Sequence, residues 1–312
     1  MRTIFIVNPK AGQGKGLLEL KRQIHDTALE LDIEVELYET TCVLDCERYI
    51  KEVLEKEKDE VRFFVCGGDG TFNEGLNGVA GHDNASLGIY PIGTGNDFVR
   101  NFPEGGDFKS IEALLKGESK KCDAIKYTGF YDGKEDTRYC GNMFNIGFDC
   151  NVVDLTATMK TKPLIAGSFA YLVSVVVMLG KMKGANLRIE ADGEELSNGE
   201  ILLTSIANGS FCGGGVMSNP YSSLHDGMID ISVIWKMPRH KFITLFPKYQ
   251  KGTHFGAKGI EGLIKNRKAK HVEITPLDDI MRLCTDGEIV DAKKVCFDIM
   301  PDFFNVIVPA KL

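Results

Sequence analysis

The hydrophobic pattern changes character along this chain. Residues 2–8 (RTIFIVN) form a nearly continuous apolar run, as expected of a strand buried on both faces. Gly12, Gly14 and Gly16 interrupt it, and Leu17, Leu18, Leu20, Ile24, Ala28, Leu29 and Leu31 then recur at helical spacing. Residues 33–38 (IEVELY) alternate like a strand, and Tyr49, Ile50, Val53 and Leu54 share one face of a charged helix. A second buried run, 61–66 (VRFFVC), ends at Gly67-Gly68. It is followed by a short helix over 71–79 and a fourth strand at 87–92 (LGIYPI). Repeated strand–helix units predict an α/β domain with a mostly parallel, Rossmann-like sheet. In such sheets ligands bind at loops beyond the carboxyl ends of the strands.

Beyond about residue 125 short strand-like runs dominate: RYCGNMFNIGF, NLRIEADG, GEILLTSIAN, MIDISVIW, HVEITP, VCFDIM and FFNVIVP. They predict a mainly antiparallel β-sandwich, interrupted by helices near 152–159 and 168–182. The expected domains are therefore 1–125 and 126–299, with 300–312 free to return to the first. The uncharged stretch 164–180 reaches the lower edge of membrane-spanning length. Small and polar residues (Gly167, Ser168, Tyr171, Ser174) line one face, so it reads as a buried helix.

Composition narrows the function classes. The chain has 312 residues, a net charge of −7 and 43% hydrophobic residues, which fits a globular protein and excludes disordered or collagen-like ones. The acidic balance argues against a nucleic-acid partner. Nine Cys without a CxxC pair read as small buried hydrophobes in a reducing compartment. The N-terminus lacks the pattern of a signal peptide. The six His are scattered, and no His/Cys metal cluster or Ser/His/Asp triad is apparent.

Three loops carry candidate chemistry. Gly67-Gly68-Asp69-Gly70-Thr71 follows a buried strand and opens a helix. Glycines admit a phosphate close to backbone N–H groups, and a helix N-terminus adds partial positive charge. A carboxylate beside a phosphate requires a cation between them, so Asp69 implies Mg²⁺ held through water. Gly93-Thr94-Gly95-Asn96-Asp97 follows the next strand; Thr94 and Asn96 offer hydrogen bonds, and Asp97 is a second candidate for the metal's water shell. Asn8-Pro9-Lys10-Ala11-Gly12-Gln13-Gly14-Lys15-Gly16 is neither a Walker A loop nor a GxGxxG fingerprint, but Lys10 and Lys15 could neutralise phosphates.

In this order and spacing, NPKAGQGKG, GGDGTFNE and GTGNDF resemble the diacylglycerol kinase catalytic-domain family, in its bacterial soluble lipid kinase branch. The resemblance spans essentially the whole chain. It implies a lipid kinase in which ATP lies in a crevice between the domains, with Asn8, Lys15, Thr40, Gly67, Gly68, Asp69, Gly70, Thr71, Asn73, Thr94 and Asp97 as nucleotide contacts. Thr40 has Thr41 as a neighbouring choice, because many members carry a Gly-Asp-Ala step where this chain reads Leu44-Asp45-Cys46. Glu74 reads as a helix-start residue. The resemblance assigns Asp69, Asp97 and Asp123 to a water-mediated catalytic Mg²⁺. It assigns Ser223, Asp226 and Met228, in SLHDGMID, to a structural Mg²⁺. The Asp286-Gly287-Glu288 step supplies the general base, Glu288, with Asp286 on metal or orientation and with partial burial expected to raise the Glu288 pKa. An NAD kinase-type phosphotransferase and a non-catalytic nucleotide-binding sensor of membrane charge are the alternatives.

Residues 235–270 hold ten basic residues against Glu261 alone. Phe242, Ile243, Leu245, Phe246, Tyr249 and Phe255 are interleaved. This segment is the expected docking surface for anionic phospholipid headgroups. The expectation is thus a cytoplasmic enzyme, peripheral at the inner membrane surface, acting on a lipid acceptor. An antiparallel β domain could also supply the edge of a homodimer.

Overall fold

Ile4, Phe5, Ile6 and Val7 are wholly buried in strand β1 (Arg2–Val7), an interior strand with parallel partners on both edges. This computed structural model describes residues 1–14, 16–131, 134–148, 150, 182–285 and 288–312. Lys15, Asp286-Gly287, the stretch 164–180 and the expected helices near 152–159 and 168–182, all but Met182, lie outside the described residues. The chain divides into two units, Met1–Ala124 with Pro301–Leu312, and Ile125–Met300.

In the first unit β1 pairs with β2 (Glu36–Glu39) on one side and β3 (Val61–Gly67) on the other. Next come β4 (Ala85–Pro91) and then Asn305–Val306, near the end of β14 (Glu288–Val308). All four pairings are parallel, and the order is β2-β1-β3-β4-β14. Parallel neighbours need crossover connections, and helices α1 (Leu17–Glu30), α2 (Asp45–Leu54) and α3 (Asp69–Val79) provide them. Helix α1 buries Leu20, Ile24 and Ala28, one residue per turn, while Leu18 and Leu29 face solvent. Helix α2 buries Cys46, Ile50, Val53 and Leu54. Gly78 of α3 lies against Ile50, where a Cβ would come within 2.8 Å of the Ile50 side chain, so glycine sets the close α2–α3 approach. Successive strands go one way from β1 to β2 and the other way to β3, so the winding reverses between β1 and β3. That switch opens a crevice beyond the carboxyl ends of these two strands.

In the second unit the neighbouring strands are antiparallel. They are β7 (Met143–Gly147), β8 (Ala185–Ala191), β9 (Glu194–Ala207), β12 (His271–Pro276), β13 (Met281–Thr285) and the first part of β14. They pair in the sequence β9-β7-β13-β14-β12-β8-β9, so the ring closes on itself. The strands expected to form an antiparallel β-sandwich thus close into a barrel. Long strands close it: residues 194–201 of β9 pair with β8 and residues 203–207 with β7, while β14 changes partner from β13 to β12 along its length. Phe144, Ile146, Ile189, Ile206, Val272, Leu283 and Phe297 fill the interior.

Two further strands, β10 (Ile229–Trp235) and β11 (Ile264–Ala269), extend from β9. After the short helix α4 (Ile111–Leu115) of the first unit, the next described helix is α5 (Arg239–Gln250), which packs Phe242, Leu245 and Tyr249 into a second cluster with Leu202, Leu203 and Ile234. A hairpin of β5 (Glu118–Tyr131) and β6 (Lys134–Cys140) precedes the barrel, and the apolar run RYCGNMFNIGF is divided between β6 and β7. Cys46, Cys66, Cys122, Cys140, Cys150 and Cys284 are buried free thiols. No helix among the described residues is long and apolar enough to cross a membrane.

Candidate active site

Three glycine-containing loops leave the carboxyl ends of β1, β3 and β4, and the packing of their backbones makes them one structure. A Cβ on Gly93 would lie 2.6 Å from the Gly68 Cα, and one on Gly12 would lie 3.0 Å from Ile92. Gly93 and Ile92 donate their N–H groups to the Gly67 carbonyl. Asn8 ties the first loop to the second: its Nδ2 donates to Thr71 Oγ1 at 3.0 Å, and its Oδ1 accepts from Lys10 N. The first loop, the start of α1 and the end of β4 border a cleft of about 260 Å³ that includes Asn8, Gly16, Tyr90 and Ile92.

Asp69 is the hinge of this arrangement. Its Oδ2 accepts from Asn96 N and its Oδ1 from Asp97 N, both at 2.8 Å. Burial raises its pKa, against the backbone N–H groups of Asp97, Phe98 and Asn96, which favour the carboxylate. Asp69 therefore clamps the β4 loop, a role that the sequence did not reveal. Asn96 turns through a left-handed φ of 52°, donates Nδ2 to the Gly93 carbonyl, and leaves a buried Oδ1 unpartnered. A Cβ at Gly95 would lie 2.6 Å from Asp69 Oδ2 and 3.5 Å from Asp97 Oδ2. Two carboxylates thus approach a small space that only glycine leaves free. Asp97 is buried, and Arg100 Nε stands 3.5 Å from its Oδ1. Thr94 is exposed.

The β2 loop resolves into distinct roles. Thr40 is buried and donates its N–H to the Val7 carbonyl. Thr41 is committed elsewhere: its N–H and hydroxyl both donate to Asp45 Oδ2, at 2.7 and 2.8 Å. Burial of Asp45 works against its charge, but Thr41, Arg48 and Tyr38 outweigh it and hold the pKa at about 2. Leu44 adopts φ 63°, a left-handed geometry that glycine would take without cost. Glu74 is not a helix-start residue. It lies within α3, and its carboxylate accepts from Leu44 N at 3.0 Å and Cys46 N at 3.2 Å, capping the start of α2. Asn73 accepts from Asn77 Nδ2 through its carbonyl and side chain.

Asp123 is buried in the first unit, where its Oδ1 accepts from Asp302 N at 2.9 Å. In the second unit Glu288 opens β14, opposite Thr285 of β13. It is exposed, so the partial burial expected for it is absent. Ser223 Oγ accepts from His225 N, and Asp226 Oδ1 accepts from Met228 N at 3.1 Å. Among the described residues no three His, Cys, Asp or Glu side chains converge as direct ligands of a metal.

Parallel sheet, glycine-lined loops and antiparallel β domain are the features of diacylglycerol and NAD kinase-like folds. The diacylglycerol kinase catalytic domain profile matches residues 2–127, and the YegS C-terminal NAD kinase beta sandwich-like domain matches residues 142–308. The chain belongs to the diacylglycerol kinase family of lipid kinases. It is 29% identical over 294 residues to a diacylglycerol kinase of Bacillus subtilis (strain 168), covering 92% of this chain and 89% of that protein. A Staphylococcus saprophyticus diacylglycerol kinase is 30% identical over 293 residues, 92% and 88% of the two chains. The crystal structure of a diacylglycerol kinase from Bacillus anthracis str. Sterne shares the fold, with TM-score 0.70 and 23% identity over 98% of this chain and 96% of that one.

Proposed function

We propose that this protein transfers the γ-phosphoryl group of ATP to the hydroxyl of a diacylglycerol-like lipid. The observation that carries the reading is the convergence of Asn8, Gly67, Gly68, Asp69, Thr71 and the Gly93–Asp97 loop at the carboxyl ends of parallel strands. Backbone N–H groups and the N-terminus of α3 suit a triphosphate there. Asn8 and Thr71 fix the loop that would hold it.

Magnesium fits this site through water rather than by direct ligation. The space at Gly95 lies between the Asp69 and Asp97 carboxylates, and each Asp69 carboxylate oxygen keeps acceptor capacity beyond its backbone bond. Bound there, the ion would neutralise phosphate charge. Asp69 has a second task, holding the β4 loop in place. Asp123 belongs to the same proposed water shell by resemblance alone. In this reading Glu288 accepts the proton as the lipid oxygen forms its bond to the γ-phosphorus and ADP leaves. Its exposure leaves it open to an incoming acceptor. Positioning and charge neutralisation would supply most of the rate.

The surface of the second unit supports action at a membrane, with a correction to which residues face outward. Phe242, Leu245 and Tyr249 are core residues, and Phe255 stacks on Tyr221. Lys236 pairs with Glu200, Arg267 with Glu194, and Lys268 with Asp226. Lys248, Lys251, Lys258, Lys265 and Lys270 are exposed without ion pairs among the described residues, and Ile243 is exposed on α5. Docking would thus be mainly electrostatic.

The test offers labelled ATP with either diacylglycerol micelles or NAD. Label is expected in the lipid, and Glu288→Ala should lower turnover by roughly 10²–10⁴-fold. Label in NAD alone would replace this reading with an NAD kinase-type reaction. Nucleotide binding without transfer to any acceptor would make the protein a non-catalytic sensor.

A further inference from the structure

The loop that the family resemblance assigns to a structural Mg²⁺ meets a cation from a neighbouring strand, Lys268 of β11. Strands β10 and β11 are paired in a register that sets Lys268 directly opposite Asp230. The Lys268 ammonium donates to Asp226 Oδ2 and, at 3.0 Å, to the Tyr221 carbonyl, and lies 3.2 Å from Asp230 Oδ2. An ammonium has three N–H donors, and three oxygens surround it.

Asp230 explains why the charge is needed. It is wholly buried, and a buried carboxylate is costly without a counter-charge. Asn266 Nδ2 donates to its Oδ1 at 3.0 Å, which leaves Oδ2 facing Lys268. Asp226, at the neighbouring turn, spends Oδ1 on Met228 N and Oδ2 on Lys268. The site has the donor set of a hard cation. Its centre is taken by a side chain whose placement follows from strand pairing.

We propose that the Lys268 ammonium replaces a divalent cation in the 221–230 loop, so that this chain holds the loop without structural magnesium. The inference stands on the second unit alone and holds whether or not the kinase reading does.

The test uses the full chain without nucleotide, with Mn²⁺ as the probe, and compares wild type with Asp226→Asn. Equal numbers of bound Mn²⁺ by electron paramagnetic resonance are expected, because Asp226 holds lysine rather than metal. One ion fewer in Asp226→Asn would overturn the proposal. Thermal unfolding gives a second readout. Any rise in midpoint from excess chelator to millimolar MgCl₂ should be the same in wild type and in Asp226→Asn, since a magnesium site in the first unit is present in both. Lys268→Met should unfold several degrees lower than wild type, with part of that loss recovered by MgCl₂, since two carboxylates then face each other unneutralised. A Mg²⁺-dependent rise found in wild type and missing in Asp226→Asn, or a Lys268→Met midpoint equal to wild type, would also overturn it.

Discussion

Single residues here carry charge into places where burial penalises it, and each is answered differently. Asp69 is answered by backbone N–H groups, Asp45 by a hydroxyl and a guanidinium, and Asp230 by a lysine. His254 is answered by staying neutral. It is wholly buried against the rings of Tyr249 and Phe255, and burial pushes its pKa down to about 4, against backbone groups at Lys248 and Ser218. The unfolded chain binds a proton at His254 near pH 6.5, whereas the folded chain resists it to about pH 4. Stability linked to this residue is thus intact above pH 6.5 and lost as pH falls from there toward 4, on the order of 3 kcal/mol in all. Urea unfolding across that range should show a shallower pH dependence for His254→Phe than for wild type. Identical slopes would mean that His254 is not the group responsible.

At the scale of elements, the first unit shows how helices can be capped from outside. Helix α2 begins at Leu44 in a left-handed conformation and has no side-chain cap of its own. Glu74, from the middle of α3, supplies the acceptor for Leu44 N and Cys46 N and places negative charge at the positive end of α2. The Ile50–Gly78 contact lets the two helices come close enough for this. Glu74→Ala should therefore cost about 0.5–2 kcal/mol, the range of a lost N-cap, read as a lower urea midpoint with unchanged slope. An unchanged midpoint would show that water caps α2 equally well.

Across the whole molecule the net charge is negative, yet one region of the second unit carries a basic excess. The unpaired lysines of α5 and the turns after it make that excess available to an anionic surface. Each contributes about 1 kcal/mol near such a surface, an effect that salt screens. The combined Lys248→Ala, Lys251→Ala and Lys258→Ala variant should bind anionic vesicles weaker by on the order of 100-fold. Wild-type binding should also fall steeply with salt. Comparable wild-type binding to neutral vesicles would argue for apolar insertion instead.

The elements of the first unit were legible because local signals decide them. Continuous apolar runs at 2–8 and 61–66 became β1 and β3, and the spacing of Leu20, Ile24 and Ala28 became the buried stripe of α1. The glycine loops were legible as phosphate-binding candidates for the same reason: strand, glycines and helix are adjacent in the chain. Pairings between distant segments were not. Nothing near Glu74 announces that it caps α2, and nothing near Lys268 announces Asp230, because β10–β11 register alone sets them opposite each other. The closure of the expected antiparallel strands into a barrel has the same origin. Alternation tells which face of a strand is buried, but β9 and β14 change partners along their length, and only the assembled pairing closes the ring. Sequence determined what each segment could bury and which loops stand as phosphate-binding candidates. Tertiary structure decided which charges meet, since long-range hydrogen bonds and strand register act between residues that the chain keeps far apart.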